Sequence, residues 1–345
     1  METESTNAML NSLPQTIESS GKFSPASPTF PKSDLPFYRK LGRTDLTVSC
    51  LGIGGGGGFS SDDTLYAFEQ GINYFFYSSD LHHFIYSSMS QALRELCGRG
   101  SSVREKVVLA TVTYVKNPAA AMTALFDQFL ELGIDYVDVF FWGWISPHDA
   151  SAFKECLNIS PRLRGSNTVY QRNLEMMFGA SERLKKMGAV RYIGASFHDL
   201  NMAQQWLHSP LLDVVMVRHN VAHRSAQSKV FSQLDAQDSE RPGIITFKST
   251  FSYSVGTLFN APSGLPTNCW QPSVPDLYRY SLSQNCVDVC LMGLQRREEV
   301  DAAISSIKQG KLTPREIDYL NLYGNLHRKQ IKIQDVPLQR WLYQA

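Results

Sequence analysis

The stretch Lys106 to Trp142, KVVLATVTYVKNPAAAMTALFDQFLELGIDYVDVFFW, decides the fold of this chain. Lys106–Thr111 is a short, valine-rich apolar run and reads as a buried strand. Ala119–Leu132 has helical periodicity and stops at Gly133, the residue type suited to the left-handed turn that closes a helix. Tyr136–Trp142 returns to a strand pattern. A strand, a helix and a strand in this order form a crossover unit with parallel strands.

The same unit repeats outward in both directions. Upstream, the apolar run Val48–Ile53 ends at the glycines Gly54 to Gly58. Thr64–Gln70 is helical and closed by Gly71, Tyr74–Tyr77 is a second strand, and Ser88–Cys97 is helical. Downstream, the helix Asn173–Met187 is closed by Gly188, and Ala189–Ala195 is a fifth strand. After the helix Asn201–Leu207 come strands at Asp213–Val217, Gly243–Phe247 and Val287–Met292. Eight such repeats predict an α/β protein closed into a (β/α)8 TIM barrel. A doubly wound open sheet is the alternative. The glycines from Gly54 to Gly58 match almost any glycine pattern, so they do not single out its dinucleotide-binding turn.

Composition bounds the rest. The chain has 345 residues, 43% hydrophobic and 19% charged, which is ordinary for a globular protein. The 33 basic and 32 acidic residues leave a formal charge of +1, so no global field draws in nucleic acid or an anionic membrane. No secretory leader pattern and no long apolar span is present, which makes a cytoplasmic setting the expectation. The six cysteines form no CxxC pair; Cys286 and Cys290 read as buried free thiols. Residues 1–36 are rich in Ser, Thr, Pro and Asn and are expected to be a disordered or extended leader, with residues 37–345 as one barrel domain. Phe23, Phe30 and Phe37 are its candidates for docking into surface grooves.

Four segments resemble the aldo-keto reductases, in the order that family has them. Tyr38–Ser49 is similar to its opening hairpin. Gly71–Phe75 resembles the approach to its second strand, Leu132–Asp138 the entry to its fourth, and Gly188–Ser196 its fifth. The resemblance spans about Tyr38 to Ile307. It implies reduction of a carbonyl by NADPH, with a Tyr donating the proton, a Lys and an Asp lowering that phenol's pKa, and a His orienting the carbonyl. A phenol near its ordinary pKa of about 10 needs such help at neutral pH. The positions that the resemblance assigns to those groups hold other residues. The Asp falls at Phe76, the Tyr near Leu81 or His82, the Lys at Val112 and the His at Gly143. Shifting the register brings in Tyr77 or Tyr86 but no Lys and no acid. The cofactor positions are mixed. Gly54, Ser196, Phe247 and Gly293 remain as candidates, and Gln295, Arg296 and Arg297 resemble the loop that grips the 2′-phosphate of NADP. Phe197, Met216 and Ala303 depart from the family pattern. NADP is the implied cofactor, with no cofactor as the alternative.

Active sites of barrels form at the C-terminal ends of the strands. There the chain places Asp80, His82 and His83, then Ser196 and His198, then Arg218, His219, Asn220, His223 and Arg224, and finally Lys248. His82, His198, Arg218, His223 and Lys248 are the catalytic candidates. A histidine titrates near neutrality and can replace the phenol. If Met216 faces the lumen, strand alternation makes Arg218 and Asn220 face it too. Arg218 with Lys248 would then suit an anionic substrate, and an isomerase, lyase or dehydratase without cofactor is a competing reading. A metal held by His82 or His83 with His198 and His219 has no supporting spacing motif, so no metal is assigned. Loop-capping histidines in a non-catalytic binding barrel are the structural alternative. Trp142, Trp144, Phe141, Phe84 and Phe197 would give the pocket aromatic walls suited to a small aromatic molecule. Phe251 to Asp276 lacks periodicity and reads as a lid or specificity loop. Oligomeric state is not legible in the sequence.

Overall fold

In a computed structural model of the chain, the structure describes residues 35–55, 58–78, 80, 83–145, 167–262, 265 and 269–334. Residues 1–34 of the proposed leader, with Phe23 and Phe30, lie outside them, as do Leu81 and His82; Leu35, counted with that leader, is buried against the barrel core.

An N-terminal hairpin of β1 (Tyr38–Lys40) and β2 (Thr47–Ser49) precedes the barrel. The barrel strands are β3 (Leu51–Ile53), β4 (Tyr74–Tyr77), β5 (Val108–Thr113), β6 (Val137–Ile145), β7 (Val190–Phe197), β8 (Val214–Arg218) and β9 (Gly243–Phe247). A small hairpin follows, β10 (Phe251–Ser252) with β11 (Gly256–Thr257), and then the last barrel strand, β12 (Val289–Met292). The strands close in the order β12-β3-β4-β5-β6-β7-β8-β9, all parallel. The doubly wound alternative is therefore excluded. Around the barrel lie α1 (Ser61–Glu69), α2 (His83–Gly98), α3 (Ser101–Arg104), α4 (Pro118–Leu132), α5 (Asn167–Lys186), α6 (Leu200–Trp206), α7 (Ser225–Lys229), α8 (Val274–Leu282), α9 (Arg297–Ile307) and α10 (Pro314–Gln334).

Local chemistry explains the elements. Every residue of β4 and β5 is buried, the pattern of parallel strands covered by helices on one side and by barrel core on the other. Asn117 caps α4 by accepting from the N–H groups of Ala119 and Ala120, Pro118 opens the helix, and Gly133 closes it at φ 65°. The single run expected at Val48–Ile53 divides in two. Ser49 ends the hairpin and Leu51 enters the barrel, because the backbone turns at Cys50, whose N–H is taken by the Phe37 carbonyl.

The hairpin covers the N-terminal ends of the strands. Arg39 donates to the Val287 carbonyl ahead of β12, and Arg43 to the Leu212 carbonyl ahead of β8. Gly42 lies so close to Gly243 at the start of β9 that a Cβ there would come within 2.2 Å of its nitrogen. Buried ion pairs hold the same end. Asp138 takes Arg104 and Arg191 at 2.9 and 2.8 Å, and Asp288 takes Arg241 in a two-pronged pair at 2.6 and 2.8 Å. With one mouth sealed, the C-terminal mouth is where a ligand can enter. Cys50, Cys286 and Cys290 are buried free thiols, and burial pushes the first two up to about 12. No helix among the described residues is long and apolar enough to cross a membrane.

Candidate active site

A cleft of about 270 Å³ opens at the C-terminal strand ends. Its floor is apolar, with Phe76 from β4, Met216 from β8, and Leu291 and Met292 from β12. Its polar groups are few: Tyr86 of α2, Tyr114 just past β5, Ser196 and His198 at the end of β7, and Lys248 to Thr250 with Tyr253 after β9. Apolar walls with a few fixed polar groups are what small-molecule sites have in common.

The structure sorts the sequence candidates into two sets. His198, Lys248, Ser196, Phe247, Gly54 and Gly293 all line the cleft. Arg218, His223, Gln295, Arg296 and Arg297 do not. His82 lies outside the described residues. The lumen-facing alternation expected through Asn220 stops at Arg218, where β8 ends. Beyond it the chain folds into a tight turn. Asn220 is fully buried, donates to the carbonyls of Lys248 and Phe251, and accepts from the N–H groups of Ala222 and His223. The paired grip of Arg218 and Lys248 on an anion therefore has only Lys248 on the cleft wall.

His219, His223 and His83 are engaged away from the cleft. His219 is fully buried and stacked on Tyr280 at 5.3 Å; burial, with Arg224 nearby, holds its pKa down at about 3. His223 Nε2 meets Ser252 Oγ at 2.6 Å and Ser254 Oγ at 3.2 Å; burial, with Arg218 and Arg328 adding to it, lowers it to about 4. Both are therefore neutral imidazoles at neutral pH. His83 Nε2 lies 3.0 Å from Glu131 Oε1, which also accepts from Tyr77. Among the described residues, no three His, Cys, Asp or Glu side chains stand together as a metal group would require.

His198 is placed differently. Its ring centroid is 5.3 Å from Trp144, 5.2 Å from Phe247 and 6.3 Å from Tyr253, so three aromatic rings flank it in the cleft. The wall it stands on is strained. Trp144 at φ 58° and Lys248 at φ 57° are the non-glycine residues in the left-handed region among the described residues, and both line the cleft. Such conformations persist where surrounding contacts enforce them, and they gather at functional sites. Here the enforcing contacts are visible. The Trp144 N–H donates to Ser196 Oγ at 2.8 Å, and Lys116 donates to the carbonyls of Gly143 and Trp144. The Lys248 carbonyl is taken by Asn220, and its ammonium lies 3.6 Å from the centre of the Tyr253 ring.

Tyr114 escaped the sequence reading. It lies two residues beyond Val112, and both side chains face Gly143, whose added Cβ would meet the Tyr114 ring and Val112 Cγ2 at 2.7 Å. One more pleat of the alternation applied to Met216 would have found it. The aromatic set expected around the pocket divides as well. Trp144 is on the cleft, Phe141 and Trp142 are buried core, and Phe84 is exposed.

For a dinucleotide, the space to consider is at the junction of β3 and β12. A Cβ on Gly293 would meet only the Gly55 carbonyl oxygen, at 3.5 Å, and one on Gly58 only the Gln295 carbonyl oxygen, at 3.8 Å. The rim there is open backbone of the kind that admits a diphosphate. Beside it Arg296 is 76% exposed, with Glu299 at 3.7 Å, whereas Arg297 is engaged with Asp63 at 3.2 Å and with the Tyr66 ring. This open rim is compatible with the group, and of the two arginines Arg296 is the less engaged and would be the one to meet an added phosphate.

No family model and no curated protein matches the sequence. Solved structures do match the fold. An aldo-keto reductase from Bacillus halodurans in its holo form aligns with a TM-score of 0.61 at 20% identity, over 83% of this chain and 95% of that one. Its apo form gives 0.59 at 21% identity over the same shares. A putative aldo-keto reductase from Pseudomonas aeruginosa aligns at 0.56 and 16% identity, over 81% of this chain and 97% of that one. The chain thus has the fold of the aldo-keto reductases.

Proposed function

We propose that this chain, which has the fold of the aldo-keto reductases, is an NADPH-dependent oxidoreductase acting on a small aromatic carbonyl compound or its alcohol. The observation that carries this reading is His198. It stands inside the cleft on the wall that also bears Ser196 and Phe247, two of the cofactor positions. In this reading Ser196 and Phe247 hold the nicotinamide end, the open rim at Gly55 and Gly293 takes the diphosphate, and Arg296 takes the 2′-phosphate. Bound, the cofactor supplies a hydride. His198 supplies the proton to the carbonyl oxygen, because imidazole can give up a proton near neutral pH, whereas burial pushes the cleft phenol of Tyr114 up to about 12. Trp144, Phe247 and Tyr253 flank it and present flat faces to an aromatic ring.

Titrating the full-length protein with NADPH and following the cofactor's fluorescence tests this. Binding in the micromolar range is expected; none at about 1 mM would sink the proposal. With 4-nitrobenzaldehyde as substrate, His198→Gln should lower kcat about 100-fold and leave NADPH affinity within a few-fold. An unchanged kcat would remove His198 from the role.

A further inference from the structure

The cleft holds a second built feature that the hydride reading does not use. Tyr86 and Tyr114 come from different elements, α2 and the segment just past β5, and their hydroxyls pair with one another. Glycines make room for each ring. A Cβ on Gly55 would strike the Tyr86 ring at 2.9 Å, and one on Gly143 would strike the Tyr114 ring at 2.7 Å. The backbone beneath is pinned as well. The Tyr114 N–H donates to Asp80 Oδ2 at 2.7 Å, and Ser78 Oγ donates to Asp80 Oδ1 at 2.8 Å. Tyr86 rests edge-on against Phe76 at 5.9 Å and Tyr77 at 6.3 Å. Both phenols line the cleft.

We propose that Tyr114, positioned by Tyr86, holds the oxygen of an aromatic carbonyl or phenol in this cleft as a hydrogen-bond donor, at the place a side chain on β6 would otherwise fill. The chemistry follows from the pairing. With Tyr86 donating within the pair, the O–H of Tyr114 is left for a ligand, and a phenol that accepts from a second phenol is the stronger donor through its own O–H. Burial raises both groups, Tyr114 to about 12, with the Asp80 charge adding to it, so the pair keeps its protons at neutral pH and donates hydrogen bonds instead of protons. A low-dielectric donor of this kind favours an oxygen that carries or develops negative charge. Lys248 with Tyr253 places a cation in the same cleft. The flat walls select an aromatic ring on that oxygen. Where the reaction is concerned, the inference rests on the carbonyl chemistry proposed above; the binding role does not.

The test uses 4-nitrophenol and the full-length protein without NADPH. The bound probe should be shifted toward its phenolate, read from its visible absorption. Tyr114→Phe should weaken binding about tenfold and abolish the shift, because one hydrogen bond to a charged oxygen is lost. Tyr86→Phe should weaken it about threefold and leave part of the shift, a graded effect that a purely structural role would not give. If Tyr114→Phe is unstable because it orphans the Tyr86 hydroxyl, the double variant Y86F/Y114F removes both and reads the same quantity. No binding by the wild type, or equal affinity and equal shift in Tyr114→Phe, overturns the inference. The hydride reading fails separately: NADPH not binding leaves the nitrophenol result standing, and the reverse also holds.

Discussion

Among single residues, histidine had to be read in place. Five candidates stood near strand ends in the sequence, and the structure gives those it describes different fates. His198 enters the cleft, whereas His219 and His223 are packed away neutral. Their depressed values make a stability claim with a definite sign. The folded protein keeps both rings unprotonated, while the unfolded chain binds protons near the ordinary histidine value of about 6.5. Stability from these residues is therefore fully present above about 6.5. It falls as the pH drops toward about 4 for His223 and about 3 for His219. Urea midpoints measured between about pH 7.5 and pH 4.5 should decline, and less steeply in His223→Gln, which can keep the bonds to Ser252 and Ser254 without a site that protonates. Parallel curves for the two proteins would contradict the assignment.

At the scale of elements, what matters is how strands end. Left-handed residues stand at the ends of β6 and β9, Trp144 one residue before the last of β6 and Lys248 just after β9, where a non-glycine side chain costs about 1 to 2 kcal/mol. That cost turns both side chains onto the cleft. Lys248→Gly should relieve it and leave folding stability unchanged or raised by up to about 1 kcal/mol, since glycine also loosens the unfolded chain. The same variant should bind 4-nitrophenol more weakly for want of its cation. A clear loss of stability in a denaturant titration would mean that the Lys248–Tyr253 contact outweighs the backbone strain. The sequence showed these strands and their lengths to within a few residues. It could not show the left-handed ends, because neither Trp nor Lys signals that conformation; tertiary contacts from Ser196 and Asn220 impose it.

Across the whole molecule, a second apolar cluster stands beside the barrel core. It joins Val221, Leu258, Trp270, Tyr280 and Leu320. Through it α10 secures the segment expected to act as a lid: Tyr319 donates to the Trp270 carbonyl at 2.5 Å and Tyr323 to the Asn260 carbonyl at 2.9 Å. Gly324 permits this docking, because a Cβ there would lie 1.9 Å from the Val221 carbonyl oxygen. Gly324→Ala should therefore displace α10, lower stability by about 3 kcal/mol and expose residues 251–270 to protease. A wild-type melting temperature and wild-type protease resistance would show that α10 does not hold that segment.

The sequence by itself determined the barrel. Apolar runs and helical periods are local, they recur eight times, and parallel strands with covering helices close economically in one way. It also marked His198, Lys248, Ser196 and Phe247, because the end of a strand is a local feature and its residues can be named from the pattern. Tertiary structure alone decided which of the marked groups share one cleft. Arg218 and His223 left it through the turn at Asn220, and Tyr114 joined it because Gly143, in the neighbouring strand, has no side chain to keep the ring out. Those outcomes depend on pairs of residues far apart in the chain, and a pattern read along one strand does not contain them.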